Sequence, residues 1–320
     1  MKAAVRRNYG PPDVLKIETV EKPLPKADEV LIKVHTTTVN RTDCAIVTGK
    51  PYIMRLFIGL FKPKNGIPGT DFAGEIASIG QNVTAFKIGD KVFGFGDEGI
   101  QSQAQYMTIP EKKAVATFPN KFTFDEAVAS LEGAHYAYNF INKVKLIPGQ
   151  KVLVNGATGA IGSAMVQILK YYGAYVTAVC NTKNVALIDS LGVDRTIDYK
   201  KEDFTKDHEK YDYVFDAVGK STFGKCKRLL HKKGVYISSE LGPGVQNPFL
   251  ALVTPLFGGK SVKFPFPSNI LQSINFIKGL IEEGKFKPII DSTYPLEKIS
   301  EAYTYVIKGE KTGNVILSMS

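Results

Sequence analysis

Along the first 120 or so residues, apolar positions come in short runs broken by glycine, proline and aspartate. Residues 14–23 (VLKIETVEKP), 29–39 (EVLIKVHTTTV), 74–80 (GEIASIG) and 90–96 (DKVFGFG) read as strands, and the pattern predicts a β-rich, antiparallel first domain over residues 1–121. After Phe118-Pro119 the spacing becomes helical. Residues 122–144 (FTFDEAVASLEGAHYAYNFINKV) carry Thr123 as an N-cap and Glu126 three positions on, a capping box, and predict one helix opening a second domain over 122–284. Strand and helix patterns then alternate through 151–156 (KVLVNG), 174–180 (AYVTAVC), 193–199 (VDRTIDY), 211–219 (YDYVFDAVG), 234–240 (GVYISSE) and 261–266 (SVKFPF). Six apolar, β-branched strands joined by helices predict an α/β fold with a parallel, doubly wound sheet. Residues 285–320 break the alternation, with a helix over 296–307, and predict a return to the first domain.

Composition narrows the class. The chain has 320 residues, 44% apolar and 22% charged, which excludes a disordered tail or fibre and leaves a globular protein of enzyme size. Cys44, Cys180 and Cys226 are far apart with no C-x-x-C pair, so a disulfide framework and a cysteine-built zinc finger are both excluded, and a reducing, cytoplasmic setting is expected. The opening MKAAVRRNYG has no apolar stretch of signal-peptide length, and no run approaches the roughly 18 apolar residues of a membrane span. The most apolar short stretch, residues 52–61, is interrupted by Arg55 and is expected to be a core element or the wall of an oily pocket rather than a membrane anchor. Forty-one Lys and Arg against 31 Asp and Glu give +10, but the lysines are dispersed in pairs such as Lys112-Lys113 and Lys200-Lys201, the pattern of a solvated surface; nucleic acid is not the expected partner.

The chemistry concentrates after residues 152–155, where a buried strand runs into Gly156-Ala157-Thr158-Gly159-Ala160-Ile161-Gly162 and straight into an amphipathic helix. That is the context a dinucleotide fingerprint requires. Gly159 lets the backbone approach a pyrophosphate, Gly162 lets the helix pack closely on the strand, and free N–H groups at the helix start attract the anion. Ala157 replaces the first glycine of the usual motif. At the end of the next strand an NAD site places an acid; here Asn181, Thr182 and Lys183 offer donors and a positive charge suited to a 2′-phosphate, so NADPH is the expected cofactor.

With VNRTD at 39–43, GTDFAGEI at 69–76, GDKVFGF at 89–95, GATGAIGS at 156–163, IDY at 197–199 and TGNVIL at 312–317, the whole chain resembles the medium-chain dehydrogenase/reductases, in their zinc-independent quinone oxidoreductase-like branch of enone reductases. The resemblance implies a GroES-like catalytic domain, a Rossmann domain, and a nicotinamide cofactor touched by Thr158, Ala160, Ile161, Asn181, Thr182, Lys183 and Tyr199, with Val218, Gly219, Ser238, Ser239, Lys311 and Thr312 also in reach. Zinc-dependent relatives carry Cys where this chain has Asn40, His-Glu where it has Thr70-Asp71, and a third ligand near Glu132; this replacement set suits zinc poorly, and a metal-free enzyme is expected. Without a Lewis acid, hydride transfer to a quinone or an α,β-unsaturated carbonyl fits better than alcohol oxidation.

Asn40 is the expected polar group near the nicotinamide, donating to an oxygen and touching the cofactor; its competing reading is a loop Asn that caps backbone groups. Glu132, His135 and Tyr136 are further candidates, the last two equally readable as packed helix residues. Tyr52, Leu56, Phe57, Phe61 and Phe264 are expected to line the substrate pocket together with Glu132 and Tyr136. Arg55 should reach solvent, an acid or an anionic part of substrate or cofactor. Residues 248–257 form an apolar stretch read as a subunit interface, in a homodimer, or a pocket lip. Two other readings stand beside the reductase: a zinc-free enzyme of alcohol dehydrogenase type and a nucleotide-bound RNA-binding protein.

Overall fold

The structure is a computed structural model that describes residues 1–266 and 269–319. It divides into two compact units: Met1–Glu132 with Ile270–Glu282 and Lys287–Ser320, and Gly133–Asn269 with Glu283–Phe286.

The first unit begins with β1 (Lys2–Val5), paired antiparallel to β2 (Lys16–Thr19). Its main sheet uses β3 (Glu29–Val39), β4 (Asp71–Ile79), β5 (Lys91–Phe95), β6 (Tyr106–Pro110) and β7 (Val115–Thr117), all antiparallel to their neighbours. Between β3 and β4 lie α1 (Arg41–Thr48), which ends at left-handed Gly49, and the single-turn α2 (Arg55–Ile58). Val30, Ile32, Val34, Phe72, Ile76 and Val92, each at most 3% exposed, make the core of this sheet.

After β7 the expected single helix is two. The Thr123–Glu126 capping box forms and starts α3 (Phe124–Ala129), but Ser130 closes it, its hydroxyl donating to the Glu126 carbonyl, before α4 begins (Glu132–Ile141). A serine that bonds back four residues competes with the helix ladder. Because α3 packs on β3 and β4, it belongs to the first unit, so the change of unit falls at Glu132 instead of the expected 121.

The second unit carries β8 (Lys151–Asn155), α5 (Ala160–Tyr171), β9 (Tyr175–Cys180), α6 (Val185–Asp189), β10 (Arg195–Asp198), β11 (Tyr211–Asp216), α7 (Phe223–Cys226), β12 (Leu230–Ser238), α8 (Gln246–Val253) and β13 (Ser261–Lys263). All six strands are parallel, in the order β10-β9-β8-β11-β12-β13, so the sheet reverses its winding between β8 and β11. Val152, Leu153, Val154, Val176, Ala178, Val214 and Phe215 are wholly buried, which explains why these strands read as continuous apolar runs.

The chain then adds α9 (Ile270–Glu282), β14 (Ile290–Pro295), α10 (Ile299–Lys308) and β15 (Asn314–Ser318). The last three join the first unit, β15 pairing antiparallel with β3. So does α9, placed by sequence in the Rossmann domain: it packs on β7, and Lys278 Nζ donates to Thr117 Oγ1 at 3.1 Å. No helix among the described residues is long and apolar enough to cross a membrane.

Candidate functional site

In the first unit a polar cluster is folded into the sheet between β3, β4 and α1. Asn40 is the N-cap of α1: its Oδ1 accepts from the Asp43 N–H at 2.8 Å, and Asp43 Oδ2 accepts from the Asn40 N–H at 3.1 Å. Its amide nitrogen donates to Thr70 Oγ1 at 2.8 Å and Thr38 Oγ1 at 3.2 Å. Both amide protons are thereby engaged and Asn40 is 3% exposed, so the geometry gives the capping role and leaves no N–H of this residue to offer a substrate oxygen. Asp71, at the start of β4, accepts from the Thr38 N–H at 2.7 Å and the Thr38 hydroxyl at 2.6 Å.

Three carboxylates are buried here. Burial, and then Asp71, raises Asp43 well above the ordinary aspartate range. Burial pushes Asp71 up to about 6 despite its hydrogen bonds from Thr38. Burial pushes Glu132 up to about 7, opposed by the buried Lys311 ammonium, whose own pKa burial lowers. Glu132, the first residue of α4, accepts from the Thr42 hydroxyl at 3.1 Å. Thr42 is half-buried, so this hydroxyl links an enclosed acid to the unit's surface. Sequence reasoning singled out Glu132 and missed its connection to Thr42, 90 residues away. Lys311 Nζ donates to the Gly313 carbonyl, and the Thr312 N–H donates to Asp291 Oδ1 at 2.8 Å. Both stand in the first unit.

The second unit's site is made of main chain. Gly156 has φ +80°, a left-handed bend at which a Cβ would sit 2.7 Å from the Val218 side chain. Gly162 lies so close beneath the turn that a Cβ would meet the Gly156 carbonyl at 2.1 Å. Gly159 is different. It is the N-cap of α5 with φ −72°, an ordinary value, and a Cβ there would meet only the Gly156 carbonyl, at 3.7 Å. The cap has no side chain to satisfy the N–H groups of the helix start, which lies at the C-terminal end of β8. That arrangement fits a pyrophosphate.

Beside the turn, Asp216 at the end of β11 accepts from Asn155 Nδ2 at 2.9 Å, the Gly219 N–H at 3.0 Å, the Ser221 N–H at 3.0 Å and the Tyr236 hydroxyl at 3.0 Å. It ties the ends of β8, β11 and β12 together and fixes Val218 and Gly219. Ser238 is buried at the end of β12, and the Ser239 N–H donates to the Asp216 carbonyl at 3.1 Å. At the end of β9, Asn181 Oδ1 is buried without a partner, and Lys183 is exposed. Thr182 is committed elsewhere: its hydroxyl donates to Asp198 Oδ2 at 2.7 Å. Sequence reasoning missed Asp198, which also accepts from the Lys200 N–H at 3.0 Å; the IDY run was its one signal. Tyr199 follows, 48% exposed.

His135 is 1% exposed, and burial lowers its pKa to about 4, so it is neutral and packed against the Tyr136 ring at 5.4 Å. Phe264 stacks edge-on against Phe266 at 4.8 Å. The run at residues 52–61 is not the expected core element: only Ile58 points inward, while Tyr52, Leu56, Phe57 and Phe61 are more than half exposed. Among the described residues Arg55 makes no ion pair with an acid; its guanidinium lies over the rings of Tyr9 at 4.5 Å and Tyr52 at 4.9 Å, and Nε donates to the Gly49 carbonyl at 3.1 Å.

The position equivalent to each zinc ligand thus holds an amide, a hydroxyl or a carboxylate already bonded within the unit, a donor set that does not fit zinc's preference for thiolate and imidazole. Among the described residues no group of three or more His, Cys, Asp or Glu is arranged to hold a metal ion.

Comparison with known proteins places this geometry. Residues 26–120 match the alcohol dehydrogenase GroES-like domain, and residues 191–317 match the family described as zinc-binding dehydrogenase. The chain is 34% identical to the 2-methylene-furan-3-one reductase of Solanum lycopersicum and 32% identical to the chloroplastic NADPH-dependent alkenal/one oxidoreductase of Arabidopsis thaliana, each over 99% of this chain and 79% of the relative. The solved quinone oxidoreductase of Coxiella burnetii shares the fold, with a TM-score of 0.88 at 24% identity, covering 100% of this chain and 99% of that one. A GroES-like unit and a Rossmann-type unit on one chain define an oxidoreductase that uses a nicotinamide nucleotide. The chain belongs to the medium-chain dehydrogenase/reductase family, in its zinc-independent quinone and enone reductase branch.

Proposed function

We propose that the protein reduces quinones or α,β-unsaturated carbonyls with NADPH, without a metal. The observation that carries this reading is the Thr42–Glu132 pair: an enclosed acid with a pKa near neutrality, joined to a half-exposed hydroxyl in a cluster of oxygen donors. Such a pair suits a reaction that ends by adding a proton. The bound nucleotide supplies hydride. The turn from Gly156 to Gly162 binds pyrophosphate by main-chain N–H groups, and the empty side-chain position at Gly159 admits it. The Asn181 amide NH2 and the exposed Lys183 ammonium donate to the 2′-phosphate end; Asp198 holds Thr182 out of that contact. Glu132 holds the proton at its carboxyl, and the Thr42 hydroxyl, which can donate or accept, passes it to the carbonyl-derived oxygen or its α-carbon. Asn40 acts as a positioning residue for Thr38 and Thr70.

The supporting test is NADPH consumption with a panel of quinones, enones and enals, with and without chelator. One saturated carbonyl or hydroquinone formed per NADPH, unaffected by chelation, is expected; no turnover across the panel, or loss on chelation, sinks the reading. A homodimer is supported by the exposed Phe249, Leu252, Leu256 and Phe257 on and after α8, beside the edge strand β13, in a stretch, 241–259, that carries no charge; sedimentation equilibrium decides it. Three buried thiols, with pKa values pushed by burial up to about 11–12, support a cytoplasmic, reducing setting, which cell fractionation tests.

A further inference from the structure

The second region of exposed apolar surface, in the first unit, differs from the one on α8 in its charge. Tyr52, Ile53, Leu56, Phe57, Leu60 and Phe61 are between 53% (Leu60) and 86% (Phe61) exposed. Scattered exposed leucines need no explanation, but six large apolar side chains within ten residues form a patch of the kind soluble surfaces avoid. The patch is held out by a built mount. The Tyr9 hydroxyl donates to the Gly59 carbonyl at 2.6 Å, the Lys64 N–H donates to the Ile58 carbonyl at 2.8 Å, and Arg55 is clamped over Tyr9. At Gly59, φ is +121° and a Cβ would lie 2.0 Å from the Lys62 carbonyl, so the tip is a fixed bend and not a loose end.

Along the chain around the tip the charge is of one sign. From residue 44 to residue 70 there is no Asp or Glu, while Lys50, Lys62 and Lys64 are exposed. Exposed apolar side chains on this bend, with exposed lysines flanking them in the chain, complement an anionic bilayer: the rings and leucines enter the boundary between headgroups and acyl chains, and the ammonium groups meet lipid phosphates. The charge-free patch at 241–259 has no such complement. We propose that the 52–61 segment seats the protein on the surface of an anionic membrane as a peripheral, non-spanning anchor. A lipophilic acceptor dissolved in that bilayer would then be met at the surface where the protein sits.

The test is co-sedimentation of the full chain with vesicles of phosphatidylcholine alone or with about 30% phosphatidylglycerol, at low salt and at about 0.15 M salt. Retention about tenfold greater on the anionic vesicles, weakened by salt, is expected. The exposed-site variant L56S/F57S/F61S should lower retention about tenfold while its circular dichroism and thermal midpoint stay those of the parent, and K62E/K64E should erase the preference for anionic lipid. Retention is read without turnover, so it stands or falls apart from the reductase reading. The proposal is overturned by absence of retention at low salt, by equal retention of the serine variant, or by a concentration-dependent dimer that those serines abolish, which would make a second copy of the chain the occupant.

Discussion

The two units build their sites from different material. In the first, side chains do the work: three carboxylates, Asn40 and the hydroxyls of Thr37, Thr38 and Thr70 are buried together, with half-buried Thr42 at their edge. In the second, the working groups are main-chain amides, and what matters is where side chains are absent. A site of the first kind is sensitive to any change of charge or hydrogen bonding; one of the second kind is sensitive to a single carbon atom, at some glycines and not at others.

The sharpest break between glycines should be the largest effect. Gly162→Ala places a methyl group against the Gly156 carbonyl and should cost about 3 kcal/mol, read as a fall in the urea midpoint. Gly159→Ala should leave the midpoint of the free protein nearly unchanged and raise the KM for NADPH about tenfold; equal stability losses for the two would end the distinction. In the first unit, Asn40→Ala removes a cap and two side-chain donors and should cost about 2 kcal/mol by the same measurement. Lys183→Glu should raise the KM for NADPH about tenfold and leave that for NADH within about twofold, a specificity switch with little change in stability.

The smallest effect is a slope. Glu132 keeps its proton in the folded chain up to about 7 but loses it near 4.5 when unfolded, so stability falls as pH rises through that window and is level above it. His135 works in the opposite sense: with its folded pKa down at about 4, stability falls as pH drops below about 6.5. Glu132→Gln should shrink the first slope to the share left by Asp43 and Asp71 and keep the second in thermal midpoints recorded across pH, and should also flatten the neutral limb of the kcat/KM profile. A variant with an unaltered profile would show that the acid is structural only.

The second unit was largely legible in the sequence, because its signals are local. The strand, turn and helix around Gly159 are contiguous, from Lys151 to Tyr171, and each burial pattern repeats over adjacent positions. The first unit's cluster was legible only as isolated polar residues. Thr38 bonds Asp71 across 33 positions and Thr42 bonds Glu132 across 90, so no local period marks them. An aspartate entering the strand DFAGEI, where burial is costly without donors, was the available hint. The helix break at Ser130 escaped notice because a hydroxyl's choice between solvent and the Glu126 carbonyl is not written in spacing. The 52–61 run reads by composition as a core element or a pocket wall, and composition alone does not mark that Tyr52, Leu56, Phe57 and Phe61 are exposed and not in the core.

Asp216 has a consequence of its own. Because one carboxylate gathers groups from the tips of three neighbouring strands, the rim there behaves as a knot: loosening any thread slackens the others, and the bend holding Val218 and Gly219 cannot be retuned alone. Engineering aimed at this rim would have to replace the whole tie at once, with Asn155, Asp216 and Tyr236 exchanged as a set.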